Sequence, residues 1–212
     1  MKRLLVFLLI LFTSYTAAVA RTDKFGTWIE LTFTKKFLKD FEISFIPEIR
    51  LQDNFTVDEY ILEGKLGYDP FKFLDFAVSY RYNTNVRDKG NIISNNFVFD
   101  ATGKIEFDRF DASLRTRFTN ESDAGDIPWE TFYFRPRAKL KYNIKGSKID
   151  PYVCYEFFYN IKLNDLFKGR FDVGVTRDFG KHHEVGLYYR LQDYFYDRNS
   201  VNIAGINYEF KF

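Results

Sequence analysis

Strict alternation of apolar and polar residues recurs along this chain, and a period of two is the signature of strands with two unlike faces. From Phe41 to Asp53 one face carries Phe41, Ile43, Phe45, Ile49 and Leu51, and the other Glu42, Ser44, Glu48, Arg50 and Gln52. From Leu74 to Asn83, Leu74, Phe76, Val78, Tyr80 and Tyr82 alternate with Asp75, Ala77, Ser79, Arg81 and Asn83. From Thr131 to Tyr142, Phe132, Phe134, Pro136, Ala138, Leu140 and Tyr142 alternate with a face that holds Arg135, Arg137, Lys139 and Lys141. Similar segments span Trp28 to Lys35, Glu59 to Tyr68, Asn96 to Phe107, Phe110 to Phe118, Pro151 to Asn160, Arg170 to Phe179, His183 to Tyr194 and Val201 to Phe212. Helical periodicity is almost absent, so the predicted class is all-β.

The expected connections alternate in length. Asp69 to Lys72, Asp108-Arg109 and Gly180 to His182 read as tight turns, whereas Asn85 to Ser94, Thr119 to Pro128 and Leu163 to Gly169 read as longer loops. Short turns at one end and long loops at the other characterise an outer-membrane barrel. The prediction is an antiparallel up-and-down transmembrane β-barrel of ten to twelve strands. An even count follows if both ends of the barrel lie in the periplasm, which leaves Trp28 to Lys35 as the odd segment: a short extra strand, a lumen segment, or a strand wrongly split. A soluble sandwich or lipocalin-like barrel would also alternate. Export, strand length and aromatic residues near strand ends favour the membrane form.

Residues 1–20 have the three parts of a secretory signal: Lys2 and Arg3, the apolar run from Leu4 to Phe12, and Ala18-Val19-Ala20 as a small-x-small cleavage site. The run is about half of the roughly 20 residues a spanning helix needs. The expectation is a cleaved leader, with residues 21–212 forming one outer-membrane domain in a Gram-negative bacterium. The chain holds 31 Lys and Arg against 29 Asp and Glu, and the leader takes two of the bases, so the remainder is formally neutral. That balance argues against a nucleic-acid partner. The single cysteine, Cys154, excludes an internal disulfide framework. Aromatic residues make up 20% of a chain that is also 28% charged. A soluble domain would have to bury such aromatics in one core.

The stretches FGTWIELTFTKKFLKDFEISFIPEIRL, LEGKLGYDPFKFLDFAVSYRY, HHEVGLYYRLQDY and NIAGINYEFKF resemble the uncharacterised outer-membrane barrel family called domain of unknown function 2490. Trp28, the strand ending in Arg50, and the Tyr80-Arg81-Tyr82 step are its most specific elements here. The resemblance implies an outer-membrane barrel and no assigned activity.

Candidate chemistry lies on the inward face, where polar side chains of a membrane barrel must turn. The expected lumen-lining residues are Glu42, Glu48, Arg50, Glu63, Lys65, Arg81, Arg115, Arg117, Arg135, Arg137, Lys139, Lys141 and Arg190. Arg115, Arg117, Arg135, Arg137, Lys139 and Lys141 would share one basic wall, with Glu42, Glu48 and Glu63 roughly across from it. Such a wall suits passive transport of a small anionic solute, or its binding through bidentate arginines. Alternatively the charges pair with one another and fill a narrow lumen, leaving a closed barrel that binds a partner or lipid through its outer loops.

An outer-membrane lipid-modifying enzyme is the weakest alternative. The two histidines, His182 and His183, fall at a tight turn with no serine beside them, and no third metal ligand follows at a recognisable spacing. No catalytic residue, metal or cofactor is expected. Pro47 and Pro136 should mark bulges or rim positions. In the last segment Ala204, Ile206, Tyr208, Phe210 and Phe212 form the expected lipid face. The aromatic residues Tyr208, Phe210 and Phe212 are expected to serve as the signal read by the outer-membrane assembly machinery, with outer-membrane lipid as the surrounding partner.

Overall fold

The computed structural model describes residues 22–120, 131–196 and 200–212. The expected leader, residues 1–20, lies outside them, as does most of the loop expected between Thr119 and Pro128. The described residues form eleven strands: β1 (Thr22–Leu38), β2 (Phe41–Gln52), β3 (Val57–Phe71), β4 (Leu74–Asn85), β5 (Ile92–Phe107), β6 (Phe110–Thr119), β7 (Tyr133–Tyr142), β8 (Ile149–Asn160), β9 (Asp165–Phe179), β10 (His183–Tyr194) and β11 (Ser200–Lys211). Each pairs with its neighbours in chain order, and β11 pairs with β1 to close the sheet on itself. Closure removes the unpaired edges that an open sheet would expose.

Eleven strands fall within the expected ten to twelve, and the odd count makes one pair of an otherwise antiparallel barrel parallel. The last pair, β1 with β11, is parallel, running from Lys24 opposite Val201 to Thr34 opposite Lys211. The segment expected from Trp28 to Lys35 is therefore a full staple of the wall, hydrogen-bonded on both sides. The closing strand is held to its last residue, because the Phe212 N–H donates to Thr34 O at 2.9 Å.

Tight turns at 39–40, 72–73, 108–109 and 180–182 gather at one end, with 143–148 as a longer member of the same set. At the other end lie 53–56, 86–91, 161–164 and 195–196. Asp108 and Gly180 take positive φ values of 53° and 74°, as tight turns between twisted strands require. The loop expected from Leu163 to Gly169 is shorter than predicted, since β9 already begins at Asp165.

Neither proline makes a bulge. Between β1 and β2 the pairing stops at Glu30 opposite Glu48 and resumes in the same register at Phe33 opposite Phe45, so Pro47 interrupts the ladder without shifting it. Between β7 and β8 it stops at Phe134 opposite Tyr159 and resumes at Arg137 opposite Glu156, around Pro136. A missing N–H removes a bond on one side only, and the intact ladder on the other side holds the register.

Outward-facing side chains are apolar and open: Ile43, Val78, Leu114 and Leu187 are each at least half exposed. Inward-facing Ile61 and Ile203 are exposed by only 1%. This is the reverse of a soluble barrel, and a continuous apolar belt of this extent is a surface that water does not favour. Two glycines serve the inner packing. The Tyr188 ring lies across Gly205, directly opposite it on β11, and the Tyr152 ring lies across Gly174, opposite it on β9.

Candidate functional site

The inward face alternates into a polar lumen, and its charges are arranged in three groups. On the side formed by β2 to β4, Arg50 Nε donates to Glu48 Oε1 at 2.7 Å and its Nη1 to Glu59 Oε2 at 2.6 Å. Arg81 lies 3.0 Å from Glu63 and 3.4 Å from Glu48, and Ser79 Oγ donates to Glu63 at 2.6 Å. The second group consists of two bidentate pairs: Arg117 with Asp100 at 2.8 and 2.7 Å, and Arg190 with Asp172 at 2.6 and 2.8 Å. Planar guanidinium and carboxylate groups match in this geometry, which makes it the strongest ionic hydrogen bonding available to side chains.

The third group is unbalanced. Glu156 is approached by Arg115 Nη2 at 2.6 Å, Arg135 Nη2 at 3.2 Å and Arg170 Nη1 at 3.9 Å. The pairing explains the crowding, because β6 and β7 set Arg115 opposite Arg137 and Arg117 opposite Arg135. Like charges directly across a ladder repel. Asp100 relieves Arg117, and Glu156 is shared by Arg115, Arg135 and Arg170, not by Arg137. Arg137 donates from Nε to Cys154 Sγ at 2.9 Å, and the Lys139 ammonium sits 4.2 Å from the Tyr152 ring centre.

Two aromatic rings inside the lumen are each approached by three cations. Trp28 has the Arg50, Arg190 and Arg170 guanidinium carbons at 3.9, 4.9 and 5.1 Å from its ring centre. Phe158 has Arg135 at 4.2 Å, Lys168 at 4.3 Å and Arg170 at 4.5 Å. Arg170 therefore touches both rings and Glu156, and its Nε donates to Gln192 at 2.7 Å. Cation–aromatic contacts gain strength when they are desolvated, as here.

The two ends of the lumen differ. Toward the long loops, Ile61, Val98, Tyr133, Phe158, Ile203 and Asn96 all turn inward and are buried, so this half is filled. Toward the tight turns the inward residues Glu42, Lys65, Asp75, Lys141 and Glu209 are only partly covered. Between the two lies a polar cavity of about 380 Å³.

Every residue expected to line the lumen has the inward parity of its strand. Glu42, Glu48, Arg50, Glu63, Lys65, Arg81, Arg115, Arg117, Arg135, Arg137 and Arg190 border the cavity itself. Lys139 and Lys141 lie nearer the tight turns, Lys141 at 3.2 Å from Asp150, and Lys65 reaches Glu42 only at 3.9 Å. Beyond the expected lining, the lumen holds Glu59, Asp100, Glu156 and Asp172 as counter-charges, together with Glu30, Arg170, Phe158 and the Trp28 ring. Each has the same inward parity, which was the available signal.

The histidines hold the closing strand. His182 Nδ1–H donates to Lys211 O at 2.6 Å, and His183 Nδ1 shares a hydrogen bond of 2.7 Å with the Tyr208 hydroxyl. Tyr208, Phe210 and Phe212 turn outward, and the Phe210 ring packs on His183 at 4.9 Å and on Phe212 at 4.6 Å. No group of three or more metal-binding side chains occurs among the described residues.

A family model described as a protein of unknown function, DUF2490, matches residues 25–202. No curated protein matches the chain.

Proposed function

This chain belongs to the DUF2490 family of proteins of unknown function, and from that premise we propose an outer-membrane β-barrel of a Gram-negative bacterium, closed by its own ion pairs, with a structural or binding role. The carrying observation is the inverted surface: an apolar belt outside, and a lumen whose long-loop half is filled by buried residues such as Ile61, Phe158 and Ile203. A lipid bilayer satisfies the first feature, and the second supports a narrow, closed lumen. The surrounding lipid is the first partner. The outward Tyr208 and Phe210 on β11, with Phe212 just after it, are the surface we assign to the assembly machinery. His182 and His183 are engaged in holding that strand, which supports a non-catalytic role.

Porin-like passage of a small anion along the basic wall is the second reading, favoured by the surplus of cations around Glu156. Planar-bilayer recording separates the two. We expect no conductance steps from the purified protein, and none from the Arg135→Ala/Arg137→Ala variant. Steps in the wild type that vanish in this variant would transfer the assignment to passage.

Orientation is open to a second measurement. With the tight turns in the periplasm, an epitope inserted in the 86–91 loop should be stained on intact cells, and one inserted in the 143–148 turn only after the outer membrane is permeabilised. The opposite staining would reverse the barrel, and staining of neither in membrane fractions would remove the outer-membrane assignment.

A further inference from the structure

Two ionisable residues of the cavity have no ion-pair partner within 4.0 Å, and their strands lie on opposite sides of the barrel. Among the described residues Glu30 makes no ion pair or side-chain hydrogen bond, and Arg137 has only Cys154, leaving its two terminal nitrogens without an acceptor. Both border the same cavity. Their strands, β1 and β7, are opposite: five pairings separate them by way of β11 and six by way of β2.

The register also puts them at one height. Hydrogen-bonded neighbours followed from Arg137 pass through Glu156, Arg170, Gln192 and Val201 to Lys24, near the start of β1. Followed the other way, they pass through Arg115, Thr102 and Asp75 to the tight turns, where the Asp69 N–H bonds to Asp40 O just beyond the other end of β1. Strands of a barrel tilt, so a row of hydrogen bonds climbs as it circles the wall. The part of β1 level with Arg137 lies near the middle of those two points, where the inward residues are Glu30 and Thr32.

An unpaired charge in a lumen this enclosed is costly, and a ligand that compensates only one of the two leaves the other uncovered. We propose that the cavity binds a small free zwitterion, an amine joined by a short linker to a carboxylate or phosphate, with its ammonium on Glu30 and its acid group on Arg137. Lys139, two residues along β7, adds positive charge beside the acid group. Trp28, two residues from Glu30, already carries three guanidinium groups, so the ligand's ammonium is directed to the carboxylate instead of the ring face. A cavity of about 380 Å³ has room for a small amino acid or a somewhat longer zwitterion, and the partly covered tight-turn end is its entrance. The proposal rests on the closed-lumen reading.

The experiment uses detergent-folded protein carrying Trp129→Phe, so that emission comes from Trp28 alone of the two tryptophans. It is titrated with glycine, 4-aminobutyrate, 6-aminohexanoate and 2-aminoethyl phosphate, and with butyrate and butylamine as single-charge controls; calorimetry gives the affinities. At least one zwitterion should bind, and Glu30→Gln and Arg137→Gln should each weaken it by about tenfold or more, as should removal of either ligand charge. Heat-dependent gel mobility establishes that each variant is folded; should Arg137→Gln fail, Glu30→Gln and the single-charge controls decide. Absence of any signal in the series, butyrate binding as tightly as the zwitterions, or an unchanged affinity in Glu30→Gln would overturn the proposal. Each of these results would leave the conductance and epitope measurements standing, so the two failures are distinguishable.

Discussion

Replacing Glu156 with Gln is expected to destabilise the folded barrel by about 3–5 kcal/mol, the usual consequence of removing one partner from a buried ionic cluster. Glu156 is 4% exposed and is the shared counter-charge of Arg115, Arg135 and Arg170. The amide keeps the shape and one acceptor, so lost volume cannot account for the change. What remains is three guanidinium groups in a small space, with the Arg115 Nε already buried and without a partner. Urea unfolding of the detergent-folded protein, followed by tryptophan emission and gel mobility, measures the effect. A loss below about 1 kcal/mol, the scale of an exposed pair, would mean that water or counter-ions neutralise these arginines and that the lumen is wetter than its burial indicates.

The second large effect is steric. Gly205→Ala would put a methyl group inside the Tyr188 ring, and Tyr188 borders the cavity on its far side. The ring must leave its place or β11 must move away from β10, and overpacking of this kind costs about 1–3 kcal/mol. Tyr188→Ala in the same chain removes the obstacle, so the double variant should be less destabilised than the sum of the single ones; contacting residues show coupling of about 0.5–3 kcal/mol. Strict additivity in the unfolding curves would show that the ring does not occupy the space above Gly205. Gly186 on β10 offers a control, since its nearest neighbours stand at 3.6 Å and leave room for a methyl.

Much of this architecture could be seen in the chain because alternation is a local property. Phe41 to Gln52 states which face is which without reference to any other segment, and the same parity carries Glu48, Arg81, Arg135 and Arg190 inward. The first strand was harder to delimit, since Thr27 and Lys35 put polar groups on its outward face and weaken the pattern. Its length follows from the two neighbours that bind it. The parallel closure depends on the pairing of β1 with β11, a contact between the two ends of the barrel that leaves no local mark. The prolines suggested bulges, yet the undisturbed ladders of Pro47 with Leu62 and of Pro136 with Thr116 hold the register.

The basic wall was visible as a run of alternating Arg and Lys, but its partners were not. Whether Glu156 meets Arg115, Arg135 or Arg170 is decided by strand tilt and register around the barrel, which no single segment encodes. The inward apolar residues Ile61, Val98, Phe158 and Ile203 share the parity of the charges. Counting polar residues alone could not show that half the lumen is filled.

The two proline gaps have a mechanical consequence. They fall between β1 and β2 and between β7 and β8, on opposite sides of the cylinder, dividing it into one shell of strands β2 to β7 and another of β8 to β11 with β1. Where bonds are missing a wall bends most easily, so the cross-section has a soft axis along which a circle can flatten toward an ellipse. Glu30 borders one gap and Arg137 the other. A molecule bridging them would act as a strut across that axis and stiffen the cylinder.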